Sequence, residues 1–286
     1  MLLNLKNKIY ELIKTLIIFV PLIFFVRTFL FGLYQVPTGS MEKTMLVGDR
    51  FLAEKLTMWF YGPERGDIIT FNDAWQHTYS NNPVIRLFEH YVWGPSNWTK
   101  RVIGKPGDHV QGIIEDGSPV IYLNGEKLNE PYINPYPLIA VYTAASSIDS
   151  DRYCMRSYDP KVSFEDQPFY HMNPNDVQHA KQKFAHIGKP NILLPGTPVQ
   201  ARIGERLVDE FDVYLGPTQY WVMGDNRLGS ADSRFYGPLD ASFIHGKIIF
   251  RLWSLDSYES WWFWDFIKHP IDFWKRVRWS RFFQTL

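Results

Sequence analysis

The chain has 286 residues, 45% hydrophobic and 17% aromatic, enough to bury one sizeable core and a subdomain besides. Its 30 Lys and Arg balance 30 Asp and Glu, which removes any general electrostatic case for nucleic acid as a partner. The single cysteine, Cys154, excludes an intrachain disulfide and a thiolate zinc cluster.

From Thr15 to Val26 the chain carries no charge. That run alone is shorter than the roughly 20 apolar residues a helix needs to cross about 30 Å of hydrocarbon. Lys14 and Arg27 bracket it, and their long stems can reach opposite headgroup layers. Thr28 to Tyr34 is again uncharged, so the pattern predicts a membrane-spanning helix over Leu12 to Phe31, kinked near Pro21. A cleaved secretory leader would end in small residues, whereas Phe29-Leu30-Phe31-Gly32-Leu33-Tyr34 is bulky. A buried core helix is the other reading, and Arg27 lends it weight. Lys6, Lys8 and Lys14 put the N-terminal end in the cytoplasm and residues after 34 outside.

Past this segment the chain reads mainly as strands. Asp67–Phe71, Trp98–Ile103, Val120–Leu123 running into Asn124-Gly125, Tyr220–Met223 and Gly246–Leu252 are the clearest. Between Pro131 and Pro217 the pattern is irregular and rich in Pro, Asn, Ser and Asp, as an inserted, partly irregular subdomain would be. The tail from Trp261 to Trp279 mixes aromatic with basic residues, which suits either a headgroup-layer segment or an aromatic helix packed on the domain.

Three polar blocks permit chemistry. Gln35-Val36-Pro37-Thr38-Gly39-Ser40-Met41 places a serine beside glycine, where its hydroxyl and N–H can be accessible, although it is not the Gly-x-Ser-x-Gly elbow. In Trp98-Thr99-Lys100-Arg101-Val102, strand alternation sends Lys100 to the face of Trp98 and Val102 and Arg101 to the opposite one. A lysine on an apolar face loses ammonium hydration, so its pKa falls; moving from about 10.4 to about 8 costs on the order of 3 kcal/mol. The third block, Gly224-Asp225-Asn226-Arg227-Leu228-Gly229-Ser230-Ala231-Asp232-Ser233-Arg234, has short polar side chains that fix loops through backbone hydrogen bonds. A Ser-His-Asp triad finds only His109 beside a motif, adjacent to Asp108 with its side chain pointing away from it.

In this order behind an apolar segment, the blocks resemble the bacterial type I signal peptidases, or leader peptidases. Glu64-Arg65-Gly66-Asp67-Ile68-Ile69-Thr70-Phe71 adds to the resemblance, which covers residues 9–132 and 220–252. It implies a mainly β fold: a signal-peptidase-like β-sheet catalytic core with an inserted subdomain and an N-terminal transmembrane helix. The division it suggests is 1–33 for the cytoplasmic tip and anchor, 34–110 and 220–255 for the two parts of the core, 111–219 for the insertion and 256–286 for the tail.

By the same resemblance Ser40 is the nucleophile and neutral Lys100 the general base, a serine–lysine dyad. The Ser40 N–H and the hydroxyl of Thr38, where serine is usual, form the oxyanion hole. Ser230 orients the lysine amine, Asp232 and Arg234 hold the scaffold, and Met41 shapes the substrate cleft. No metal or cofactor is implied. The partners are secretory preproteins with small residues at positions −1 and −3 of the cleavage site, together with the lipid bilayer. The place is the bacterial plasma (inner) membrane, crossed once, with the catalytic domain on the extracytoplasmic face. A maturation peptidase for one dedicated exported substrate and a catalytically inactive membrane-tethered binding protein are the alternatives.

Overall fold

The computed structural model describes residues 2–36, 38–42, 44–46, 48–72, 80–91, 97–116, 118–133, 202–203, 206–227, 230–255 and 262–286. Most of the expected insertion, Cys154 and the Leu228-Gly229 pair lie outside them.

The helix α1 (Leu2–Phe25) continues through one π-helical turn, Val26–Leu30. Within it Tyr10–Leu30 is the one stretch among the described residues long and apolar enough to cross a membrane, at 21 residues two positions earlier than predicted. At about 1.5 Å per residue it reaches roughly 32 Å. Pro21 lies inside the helix, and the apolar side chains Leu12, Leu16, Phe19 and Ile23 are all exposed, the reverse of a core helix.

Fourteen strands follow among the described residues: β1 (Phe31–Gln35), β2 (Asp49–Glu54), β3 (Ile68–Asn72), β4 (Asn97–Gly104), β5 (His109–Glu115), β6 (Ser118–Leu123), β7 (Glu126–Lys127), β8 (Arg202–Ile203), β9 (Arg206–Leu207), β10 (Phe211–Tyr214), β11 (Gln219–Met223), β12 (Leu239–Asp240), β13 (Ile244–Ser254) and β14 (Gln284–Thr285). Eight form one sheet in the order β1-β2-β13-β3-β4-β11-β12, with β14 beside β13. A second sheet runs β10-β5-β6-β7, and β8 pairs with β9. The fold is mainly β, as the sequence predicts.

Local sequence explains the placing. In β2 the side chains alternate, with Phe51 and Ala53 fully buried and Leu52 and Glu54 only partly so, and this fixes its register. In β3, Ile-Ile-Thr-Phe-Asn is buried throughout, because β13 and β4 flank it and both of its faces are covered. Val36, Met41, Met45, Phe51, Ala53, Ile68 and Ile248 form the core nearest β1. Ile103, Val110, Ile121, Leu123, Leu215, Trp221 and Met223 join the two sheets. Fully burying each of the Val, Leu, Ile, Phe and Met side chains among them stabilises by roughly 1.5–3 kcal/mol. The Lys105-Pro106-Gly107-Asp108 turn carries the chain from one sheet to the other; Gly107 has φ 85°, and Asp108 accepts from the Lys105 N–H at 2.8 Å.

The tail packs on the core at its base. Phe273 and Val277 are buried against Leu255, and β14 extends the main sheet. Beside them lies Asp49, fully buried, with Arg281 at 2.8 Å, Arg251 at 3.3 Å and Arg278 at 3.9 Å. Burial alone would raise the Asp49 pKa, but the three guanidiniums hold it below the usual carboxylate range. The tail, two short helices (Trp262–Lys268 and Asp272–Arg276) followed by β14, buries Phe273 and Val277, while Trp262, Phe263, Trp264, Trp274 and Trp279 stay exposed.

Candidate active site

After β1 the chain makes a single 3₁₀ turn, Gly39–Met41, entered from Thr38 in extended conformation. The first N–H groups of such a turn have no partner within it, and the exposed Thr38 side chain does not cap them. Ser40, in the middle of the turn, is partly buried. Met41 is only 1% exposed and packs downward into the core with Met45 and Phe51. It supports the turn from beneath and presents no surface to a cleft, unlike the role expected from sequence, because the turn directs the next side chain inward.

Lys100 projects from β4 beneath this turn. Its Nζ donates to Ser40 Oγ at 2.9 Å and to the Thr99 carbonyl at 3.1 Å, and it lies 5.7 Å from the centre of the Trp98 ring, on the predicted face. Only 4% of the residue is exposed. Burial outweighs the opposing pull of Asp232 and Asp225 and, with a small contribution from Arg234, brings its pKa down from 10.5 to about 8. Neither carboxylate pairs with the amine. Asp225 is held by Arg101 at 2.8 and 2.7 Å, and Asp232 by Arg234 at 2.8 and 2.9 Å.

Arg101, the next residue along the strand, is buried as well. Its Nη1 reaches the Gly66 carbonyl at 2.7 Å, and its guanidinium lies 4.1 Å over the Tyr132 ring. Arg234 also binds Asp209 at 2.6 Å and the Arg227 carbonyl at 2.6 Å. Asp232 caps the short helix Ser233–Tyr236 and accepts from the Gly224 N–H at 3.0 Å. Asp232 and Arg234 thus tie the loop after β11 to the strand it leaves.

Ser230 is buried beside this lattice, and its hydroxyl makes no hydrogen bond to Lys100; the amine's partners are Ser40 and Thr99. The orienting contact expected of it from sequence is absent in this arrangement. His109 pairs with Asp212 at 2.5 Å and stacks on Tyr214 in the second sheet, so no histidine triad forms around it.

Two residues escaped the sequence reading although both stand in a block it singled out. Asn226 clamps the serine turn: its N–H donates to the Ser40 carbonyl at 3.1 Å and its Nδ2 to the Gly39 carbonyl at 3.1 Å. Gly224 sits so close that a Cβ there would come within 2.3 Å of Ser230 Oγ and 2.4 Å of the Ser40 carbonyl oxygen. The signal was their place at the start of the third block, where short or absent side chains let two backbones meet.

This arrangement supplies a hydroxyl, an amine whose pKa is lowered to about 8 and an uncapped turn of N–H groups. Together they can serve acyl transfer. Among the described residues no cluster of His, Cys, Asp and Glu could hold a metal ion.

The family described as "Signal peptidase, peptidase S26" matches residues 9–253. Signal peptidase I of Buchnera aphidicola subsp. Acyrthosiphon pisum is 27% identical over 275 residues, 90% of this chain and 80% of the relative. Signal peptidase IB of Staphylococcus aureus is 25% identical over 254 residues, 89% and 94% of the two chains. A crystal structure of a signal peptidase I from Enterococcus faecalis V583 is 18% identical with a TM-score of 0.27, covering 65% of this chain and 95% of that one, a likeness too slight to carry an argument.

Proposed function

The chain belongs to the signal peptidase family, peptidase S26, and is a hydrolase; from that premise we propose a membrane-anchored serine endopeptidase that removes N-terminal signal peptides from secreted preproteins with Ser40 and Lys100. One observation carries this reading: a buried amine with no carboxylate partner, its pKa near 8, lies 2.9 Å from a serine hydroxyl.

When the amine is neutral, its lone pair takes the hydroxyl proton along that short line while Ser40 Oγ attacks the scissile carbonyl. The Ser40 N–H and the Thr38 hydroxyl stabilise the oxyanion, and the resulting ammonium returns its proton to the leaving amine. Water then adds to the acyl-enzyme with Lys100 again as base, releasing the mature protein's partner fragment as a free carboxylate and restoring the Ser40 hydroxyl. Asp232 and Arg234 hold the loop against the dyad. Shallow pockets for the residues at −1 and −3 exclude larger side chains by clash.

Orientation follows from charge. Lys6, Lys8 and Lys14 keep the N-terminus in the cytoplasm, so one pass puts the sheets on the extracytoplasmic face of the bacterial inner membrane. The exposed aromatic residues of the tail lie in the headgroup layer.

The test is to incubate the full chain in detergent with a preprotein and map the cut by mass spectrometry. The expected result is a single cut after a small residue, absent in Ser40→Ala. With a folded-state pKa near 8, the protonated amine dominates at low pH, so kcat/KM should fall about tenfold per pH unit below 7. Cleavage that persists in Ser40→Ala, or that shows no dependence on pH between 6 and 9, defeats the reading.

A further inference from the structure

The last carbonyls of a helix lack donors from within it, and something else must satisfy them. At the exit of the apolar helix the Phe31 N–H closes the π-turn on the Val26 carbonyl. Three of the last carbonyls, those of Arg27, Thr28 and Leu30, converge on one residue. The Lys55 N–H donates to the Leu30 carbonyl at 3.0 Å, while its Nζ donates to those of Thr28 at 3.1 Å and Arg27 at 3.2 Å. A cation there also meets the negative end of the helix dipole. Lys55 directly follows β2, whose last residue, Glu54, faces Phe31 across the sheet.

There is no linker at this junction. Leu30 ends the helix and Phe31 begins β1, which pairs with β2 over five positions before the chain turns into Thr38-Gly39-Ser40. The five residues of β1 rise about 17 Å. The nucleophile's sheet is therefore joined to the helix by backbone pairing on one side and by the Lys55 amine on the other.

We propose that Lys55 is a positioning residue that locks the membrane helix to the sheet bearing Ser40, and so fixes the height and tilt of the site above the bilayer. The proposal rests on the signal-peptidase reading. A preprotein is held by its own apolar segment, so its scissile bond stands at a set distance from the hydrocarbon. A site on a loose tether would sample other heights and meet other bonds, whereas a short peptide in solution has no such reference and is indifferent to the tether.

The experiment uses the full chain in phosphatidylethanolamine–phosphatidylglycerol liposomes with two substrates, a preprotein inserted in the same liposomes and a soluble peptide spanning its cleavage site. The quantity read is the ratio of the two kcat/KM values, together with the distribution of cuts by mass spectrometry. Lys55→Met keeps the stem and removes the cation; it should lower the ratio about tenfold and add secondary cuts, with peptide cleavage nearly unchanged. Inserting Gly-Gly-Ser between Leu30 and Phe31 should do the same by separating helix from sheet. A variant that is partly unfolded lowers both rates and leaves the ratio alone. An unchanged ratio in Lys55→Met overturns the proposal, whatever the insertion does. Failure of the wild-type chain on both substrates would instead overturn the peptidase reading.

Discussion

Lys100 and Arg101 are adjacent on β4, both buried and both cationic by nature, yet they sit in opposite electrostatic regions. Behind the site, Arg101 grips Asp225 with two nitrogens and Arg234 grips Asp232 and Asp209. Burial would lower the Arg101 pKa, but Asp225 raises it overall. In front, Lys100 has a hydroxyl and a carbonyl for partners and no counterion, and its pKa falls to about 8. Pairing every other nearby charge is what leaves the amine alone. The lattice behind the site thus sets the charge balance around the amine without touching it.

The largest test exchanges the two behaviours. Lys100→Met keeps the volume and removes the amine, and turnover should drop about 10³-fold or more if the amine is the general base proposed above. Stability should move the other way. Because the folded-state pKa lies below the unfolded one, the unfolded chain holds more protons between about pH 8 and 10.5, and wild-type stability rises across that window. Below pH 8 the uncompensated burial costs about 3 kcal/mol, so at pH 7 Lys100→Met should melt higher, by a margin that fades toward pH 10.5. Arg101→Met, one residue along, should instead destabilise by about 3–5 kcal/mol, because Asp225 is left buried without a counterion and keeps only the Thr44 hydroxyl as a side-chain donor. Calorimetry of both variants across pH checks the contrast; a lower melting temperature for Lys100→Met at pH 7 would break it.

A smaller effect follows from the contact between the two regions. Gly224→Ala places a Cβ against Ser230 Oγ and the Ser40 carbonyl, and the carbonyl can yield only by moving the turn. Overpacking of this kind costs about 1–3 kcal/mol, and a displacement of roughly 1 Å at the proposed nucleophile should cost about 10²-fold in kcat. Thermal melts with steady-state kinetics separate the two. A rise in KM with kcat unchanged would mean that the turn stays in place and only the substrate is displaced.

How much of this was legible in the chain depends on what each feature rests on. The strand Trp98–Ile103 was visible because alternation is a local signal, and the structure extends it to Asn97–Gly104. The apolar helix was visible from length and lack of charge. β1 and β2 were not singled out, since Phe31–Gln35 reads as a continuation of the membrane segment and Asp49–Glu54 carries three charges in six residues. The Ser40–Lys100 pairing came from family motifs, because nothing local ties residues 60 positions apart. Arg278 stands in the aromatic and basic tail and Arg281 just beyond it, and only the long-range closure onto Asp49 shows both to be core residues. Roles that depend on a missing side chain, as at Gly224, leave no mark in composition.

The finest test of the contrast is at Asn226, which belongs to the lattice by position and to the site by contact. Asn226→Ala keeps the backbone bond to the Ser40 carbonyl and loses the one from Nδ2 to the Gly39 carbonyl. One such bond is worth about 1 kcal/mol, so kcat should fall only about five- to tenfold. Asn226→Asp goes further for a different reason. A carboxylate cannot donate to the Gly39 carbonyl, and it adds a negative charge to the loop beside an amine that has none for a partner. That charge favours the ammonium, so the midpoint of the pH–rate profile should move above 8, whereas Asn226→Ala should leave it near 8. If both variants shift the midpoint alike, Asn226 controls how deeply the amine is buried, and the separation between lattice and site does not hold there.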